Sequence, residues 1–273
     1  MNCRYIDTHA HLNLAQFSED YAEVFAKCES KGVGMINVGT RKDTSQQAVE
    51  MANKFNNAWA IVGIHPLNVV EADPDDYGAT NPETQLDYDF YLNLAKDEKT
   101  VGIGECGFDY FHNSDETYEE QKKVFLAQVA LANEVGKPLM LHLRNSKDGK
   151  GRNAYDDALE ILKSEAKVPG NAHFYAGTTE QAKAFFDLGY TISFTGVITF
   201  AKPYKELVEY SPLDFIHGET DCPYVTPEPY RGERCEPWMV KEVYKKIAEY
   251  KGEDEERVRE QLIKNANRLY SLN

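Results

Sequence analysis

The chain has 273 residues, 42% of them hydrophobic, and a formal net charge of −15 at pH 7. That length and apolar content suffice for a large buried core, whereas the acidic balance excludes a protein that coats nucleic acid by neutralising its phosphates, though not an enzyme that acts on it. Five cysteines (Cys3, Cys28, Cys106, Cys222, Cys235), odd in number and never arranged as CxxC, argue against a disulfide framework or zinc ribbon. With no signal peptide and no membrane-spanning apolar run, the expectation is a soluble cytoplasmic protein, or a nuclear one in a eukaryote, with no membrane and no obligate protein partner.

In chain order, short β-rich runs alternate with amphipathic stretches. A strand at Cys3–Thr8 precedes a helix over Phe17–Lys31; Val33–Val38 precedes Thr44–Phe55; Ala58–Ile64 precedes Gln85–Asp97; and Thr100–Glu105 precedes Glu116–Val135. Pro138–Leu143 is followed by a helix over Ala154–Ala166, Asn171–Tyr175 by Thr179–Leu188, and Tyr190–Phe194 by Lys205–Tyr210. The eighth run, Asp214–Glu219, leads to a helix over Pro237–Tyr250 and a last one from the acidic start at Glu253 to about Leu269. Glycines 32, 136 and 189 sit where helices would end. Eight such units predict an α/β fold, a closed (β/α)8 TIM barrel in a single domain over residues 1–273. The competitor is a doubly wound open sheet, but no GxGxxG follows the first strand.

Two insertions leave strand ends. Glu71–Asp89 is acidic and rich in turn formers, and reads as a solvated loop. Arg144–Arg152 carries four basic residues against one acid. In a parallel barrel both lie on the C-terminal rim, where such barrels place their active sites.

His9 and His11 stand two apart at the end of the first run, so in a strand both imidazoles face one way and form half of a divalent metal site. Later runs end in Glu105, His142, His173 and Asp221. Each alone has a structural reading. Six ligand-type side chains on one rim are explained by metal binding, because burying unpaired polar groups together brings no structural gain.

The same residues carry a family resemblance. His9-x-His11, Gly63-Ile64-His65-Pro66, Gly104-Glu105-Cys106-Gly107-Phe108-Asp109-Tyr110, His142-Leu143-Arg144, His173-Phe174 with Gly177, Ser193-Phe194-Thr195-Gly196, Glu219-Thr220-Asp221-Cys222-Pro223-Tyr224, and Asn265 with Arg268-Leu269-Tyr270 together resemble the TatD family of metal-dependent deoxyribonucleases. The resemblance implies a barrel of the metallo-dependent hydrolase kind with two divalent ions, Mg, Mn or Zn. One ion is implied at His9, His11, Glu105 and Asp221, the other at Glu105, His142 and His173, with Glu105 bridging. Cys222, where alanine is common, Cys235, where asparagine is usual, and Tyr110-Phe111-His112 depart from the family pattern.

The expected reaction is hydrolysis of a phosphodiester by metal-activated water, with DNA and possibly RNA as substrate, and 3′-5′ exonuclease action on single-stranded DNA. Glu105 and Asp221 are the catalytic candidates, Asp221 as proton acceptor as well as ligand, with ligation alone as its alternative role. Arg144 and Arg231 are candidates to clamp phosphate or, more plainly, to pair with a nearby acid. His65 is placed near the substrate or behind the ligands, and Asp109 and Glu219 are candidates to orient histidines, while His112 and His217 are read as structural. The rival reading is a metal-dependent deacylase or amidohydrolase acting on aminoacyl-tRNA or a small molecule, since fold does not choose between these.

Overall fold

The computed structural model describes residues 3–70 and 81–272. Eight strands form one sheet in sequential order, and every paired neighbour is parallel. They are β1 (Tyr5–Ala10), β2 (Val33–Val38), β3 (Ala58–Val62), β4 (Thr100–Asp109), β5 (Leu139–Arg144), β6 (Gly170–Ala172), β7 (Thr191–Phe194) and β8 (Ile216–Gly218). Between and after them run α1 (Tyr21–Ser30), α2 (Lys42–Lys54), the short α3 (Leu67–Val70), α4 (Tyr88–Ala95), α5 (Tyr118–Val135), α6 (Ala154–Glu165), α7 (Thr179–Asp187), α8 (Tyr204–Tyr210), α9 (Val240–Lys251) and α10 (Glu255–Tyr270). This is the expected (β/α)8 arrangement rather than the open sheet. The barrel is nearly closed: Ala10 of β1 forms an isolated parallel bridge with Cys222, four residues past the end of β8.

All residues of β2, β3 and β4 are buried, as parallel strands covered by helices must be. Local chemistry sets the helix ends. Asn153 caps α6 by accepting from the N–H groups of Tyr155 and Asp156, and Thr178 with Gln181 forms a reciprocal capping box at α7.

Several boundaries differ from expectation. The helix expected over Phe17–Lys31 begins only at Tyr21, because Ala15–Phe17 forms a separate 3-10 turn. The helix expected over Gln85–Asp97 starts at Tyr88, where the Asp87 carboxylate accepts the N–H of Phe90 and caps it. The fourth strand continues past Glu105 to Asp109. The eighth is shortened to three residues because Leu213–Phe215 forms a 3-10 turn behind Pro212. Of the loop expected over Glu71–Asp89, residues 71–80 lie outside the described residues; at its far end the Glu83 N–H donates to the Asn68 carbonyl at 2.7 Å.

Candidate metal centre

The rim of the barrel gathers the strand-end residues into a pocket of about 330 Å³ whose lining includes His11, His65, Glu105, His142, His173 and Asp221. His9, fully buried, is outside that lining and contacts Glu105 from within the barrel. The fourth strand delivers Glu105 because its backbone passes close to β5. Gly104 and Gly107 have φ of +151° and +136°, and a Cβ on either would collide with a β5 carbonyl oxygen, that of Met140 or of His142.

Glu105 is the hub. Its Oε1 lies 2.6 Å from His173 Nε2, 2.9 Å from His142 Nδ1 and 3.4 Å from His65 Nε2, while Oε2 lies 3.3 Å from His9 Nε2 and 3.7 Å from His11 Nε2. Asp221, at φ +57°, completes the other side, with Oδ1 3.5 Å from His11 Nε2 and 3.7 Å from His9 Nε2. The two Nε2 atoms of His9 and His11 face each other at 2.9 Å, and the rings of His9 and His173 stack at 3.9 Å.

What the far ring nitrogens touch decides which atoms are free to ligate. His11 Nδ1 lies 2.9 Å from the Val38 carbonyl oxygen, which only accepts, so Nδ1 carries the proton and Nε2 presents a lone pair to the pocket. His142 Nε2 donates to Asp109 Oδ2 at 2.9 Å, leaving Nδ1 free toward Glu105. Glu219 Oε1 stands 3.4 Å from His173 Nδ1, beyond hydrogen-bond geometry but within ion-pair reach. Glu219 is itself held by the Ser193 hydroxyl at 2.6 Å and the Phe174 N–H at 2.7 Å. His9 Nδ1 is buried without a hydrogen-bond partner among the described residues. The donor set therefore fits divalent cations. Imidazole nitrogens converge on two carboxylates, and the Val38 carbonyl behind His11 and the Asp109 carboxylate behind His142 fix the tautomers of those two rings, as in metal-ligating histidines generally.

The side chains by themselves show how strongly these carboxylates draw positive charge, which falls to protonated histidines where no cation is bound. Burial pushes the Glu105 carboxyl up, but His173, His65 and His9 outweigh it and hold the group well below the usual carboxylate range. Burial acts likewise on Asp221, and hydrogen bonding to His11 with the charges of His9 and His173 holds it low. Asp109 is also held low against its burial, by hydrogen bonds from His112 and His142.

Other residues singled out in the sequence fall around this centre. His65 Nδ1 accepts the Leu67 N–H at 3.1 Å, so its Nε2 carries a proton aimed at Glu105. Arg144 lines the pocket and stacks over Phe111 at 4.0 Å. Arg231 is not part of the pocket lining; it stacks over Phe200 at 4.1 Å and donates to the Thr226 carbonyl at 2.7 Å. In the basic loop Arg152 pairs with Asp157 at 2.7 Å, while Lys147 lies over Phe111 at 4.6 Å. His112 lines the pocket and bonds Asp109 Oδ2 at 3.0 Å. His217 lies apart, its Nε2 2.9 Å from Thr191 Oγ1, and burial drives its pKa down to about 3.

Three supporting residues went unread in the sequence. The buried Asp7 carboxylate accepts the Thr220 N–H (2.9 Å), the Thr220 hydroxyl (2.6 Å) and the His9 N–H (3.2 Å), tying β1 to the segment that carries Asp221. Its signal was available, because residues 7 and 9 share one face of β1. Gln121 and Gln128 of α5 clamp the backbone of Asp109 and Ile64, each donating to the carbonyl and accepting from the N–H. No sequence pattern marks them.

Comparison with known proteins closes the question of family. Residues 6–271 match the family described as TatD related DNase. The chain belongs to the TatD family. An uncharacterized metal-dependent hydrolase of Bacillus subtilis is 36% identical over 98% of this chain and 99% of its own length. A 3′-5′ ssDNA/RNA exonuclease TatD of Klebsiella pneumoniae is 31% identical over 97% of each chain. The crystal structure of a TatD homologue from Escherichia coli superposes with a TM-score of 0.83 at 24% identity, covering 99% of both chains, which shows the shared fold. This TatD-family chain is thus a metal-dependent hydrolase. Among the described residues no helix is long and apolar enough to cross a membrane.

Proposed function

We propose that this hydrolase is a 3′-5′ exonuclease that cleaves the phosphodiester bonds of single-stranded DNA, with RNA as a second polymer of the same chemistry. In this reading the chain acts as one domain in the cytoplasm, a reducing compartment suited to its five unpaired cysteines. His9, His11, Glu105 and Asp221 would hold one divalent cation, and Glu105, His142 and His173 the other, with Mg, Mn and Zn all suited to the donors. Such a pair supplies an activated water and stabilises the entering and leaving oxygens of an in-line displacement.

The remaining chemistry falls to the chain. Asp221, held ionised at the pocket wall, accepts the proton of the attacking water. His65 offers its Nε2–H to a phosphate oxygen beside Glu105. Arg144, held against Phe111 at the pocket edge, presents a guanidinium fork to the same phosphate. Arg231 on its Phe200 stack is a phosphate contact outside the pocket. The observation that carries the reading is the carboxylate hub: Glu105 Oε1 faces His142, His173 and His65 while Oε2 faces His9 and His11, the arrangement one bridging ligand needs. The name of the Klebsiella relative favours a nucleic-acid substrate.

The test compares metal-stripped protein with samples reloaded with magnesium, manganese or zinc, on 3′-labelled single-stranded and duplex oligonucleotides. Reloaded enzyme is expected to release labelled mononucleotide from the single strand, and stripped enzyme none. Equal cleavage by both forms, or no cleavage together with hydrolysis of an aminoacyl ester, overturns the reading in favour of a metal-independent reaction or a deacylase respectively.

A further inference from the structure

A second, more enclosed cavity of about 170 Å³ opens beside the metal pocket, the room of about six waters. It shares His142, Arg144, His173 and Phe174 with that pocket. Its own walls are Leu143, Ala176 and Tyr204, so beyond the shared His142, Arg144 and His173 the lining is apolar and aromatic. Away from Arg144 and the two histidines, these walls suit a flat, weakly polar ring better than a phosphate.

Two of its features tie it to the reaction centre. Phe174, which lines both cavities, is a non-glycine residue at φ +42°, a backbone conformation that needs support from its surroundings. The support comes from Glu219, whose Oε1 accepts the Phe174 N–H at 2.7 Å and also faces His173 Nδ1. One carboxylate thus positions both the aromatic wall and a metal-binding imidazole. The Tyr204 hydroxyl forms no hydrogen bond among the described residues, although its ring is mostly buried where α8 begins, leaving a polar tip beside an apolar face.

We propose that the cavity between Phe174 and Tyr204 receives the terminal base of a single strand whose last phosphodiester lies over Glu105. The proposal rests on the phosphodiesterase reading above and adds where the strand stops. The enclosed cavity takes one base, so cutting occurs one nucleotide from the end. Stacking on aromatic faces is tolerant of base identity, which fits an enzyme that digests a strand irrespective of sequence.

The test has two arms. In the first, metal-loaded wild type and Tyr204→Leu are compared on single strands ending in an ordinary nucleotide or in a tetrahydrofuran abasic residue. Stacking worth about 1–3 kcal/mol per base corresponds to roughly a five- to 150-fold preference. Wild type is expected to favour the base-bearing end by such a factor in kcat/KM, and Tyr204→Leu to lose at least most of it. Tyr204→Phe, which keeps the ring, is expected to retain it. In the second arm, calorimetric titration with dTMP and with deoxyribose 5-phosphate is expected to show at least tenfold tighter binding of dTMP to wild type, and little difference in Tyr204→Leu. A wild type indifferent to the terminal base in both arms, or a preference unchanged in the leucine variant, overturns the base cavity. If no diester is cleaved by any metal-loaded form, the phosphodiesterase reading fails, and the titration still decides whether the cavity recognises a base.

Discussion

His142 can present the Nδ1 lone pair only while its other nitrogen keeps a proton, and the group that keeps it there is Asp109. Asp109 is in turn fixed by the N–H groups of Phe111 and His112, each at 2.8 Å from Oδ1. Asp109→Asn replaces an ionised acceptor by a neutral amide and loosens the imidazole. A 10–100-fold loss of metal affinity is expected, the usual effect of losing a carboxylate behind a ligating histidine. Competitive chelator titration measures it, with circular dichroism to show an unchanged fold; wild-type affinity in the variant contradicts the role. At this scale the histidines and carboxylates themselves stood out in the sequence, because apolar runs lead up to each of them, although Glu105 and His142 lie inside β4 and β5 rather than at their ends. Their partners were legible unevenly. Asp109 and Glu219 sit in conspicuous motifs, whereas the Val38 carbonyl that sets the His11 tautomer is backbone and has no signature in side-chain chemistry.

At the scale of elements, α5 does more than cover the sheet. Gln121 and Gln128, seven residues apart on one helical face, each make the paired amide contacts that a neighbouring strand would otherwise supply. Gln128 Oε1 accepts the Ile64 N–H at 2.8 Å and its Nε2 donates to the Ile64 carbonyl at 3.0 Å, next to His65. Gln128→Leu keeps the volume and strands both backbone groups. The expected cost is about 2 kcal/mol or more, read as a lower urea midpoint at constant slope; an unchanged midpoint shows that water replaces the amide without loss. The order of strands and helices was legible because parallel strands buried on both faces read as apolar runs separated by helical periodicity. The ends were less so. The reach of β4 to Asp109 depends on its pairing with β5, where Gly107 meets His142 and Asp109 meets Arg144, and tertiary pairing of that kind leaves no local trace.

For the whole molecule, the centre concentrates ionisable groups in a buried space of a chain already carrying −15. Divalent ions held at this centre would offset that charge and, by binding the folded form, would make stability depend on their concentration. Chelation is expected to lower Tm. Re-addition at about 100 times the Kd is expected to restore roughly 2.7 kcal/mol per site, with Tm rising further as metal is added. A Tm independent of metal means that the pocket is held without it. The barrel's geometry adds a mechanical side to this linkage. His9 lies in the opening strand and His11 just past its end, and Asp221 lies three residues beyond the closing strand. Across that join the described backbone hydrogen bonds run only from the Asp221 N–H to the His9 carbonyl and from the His11 N–H to the Cys222 carbonyl, each 3.0 Å long. An ion seated between those three residues would work as a clasp on the hoop of strands, so that unfastening the first stave from the last and letting go of the ion would become a single event.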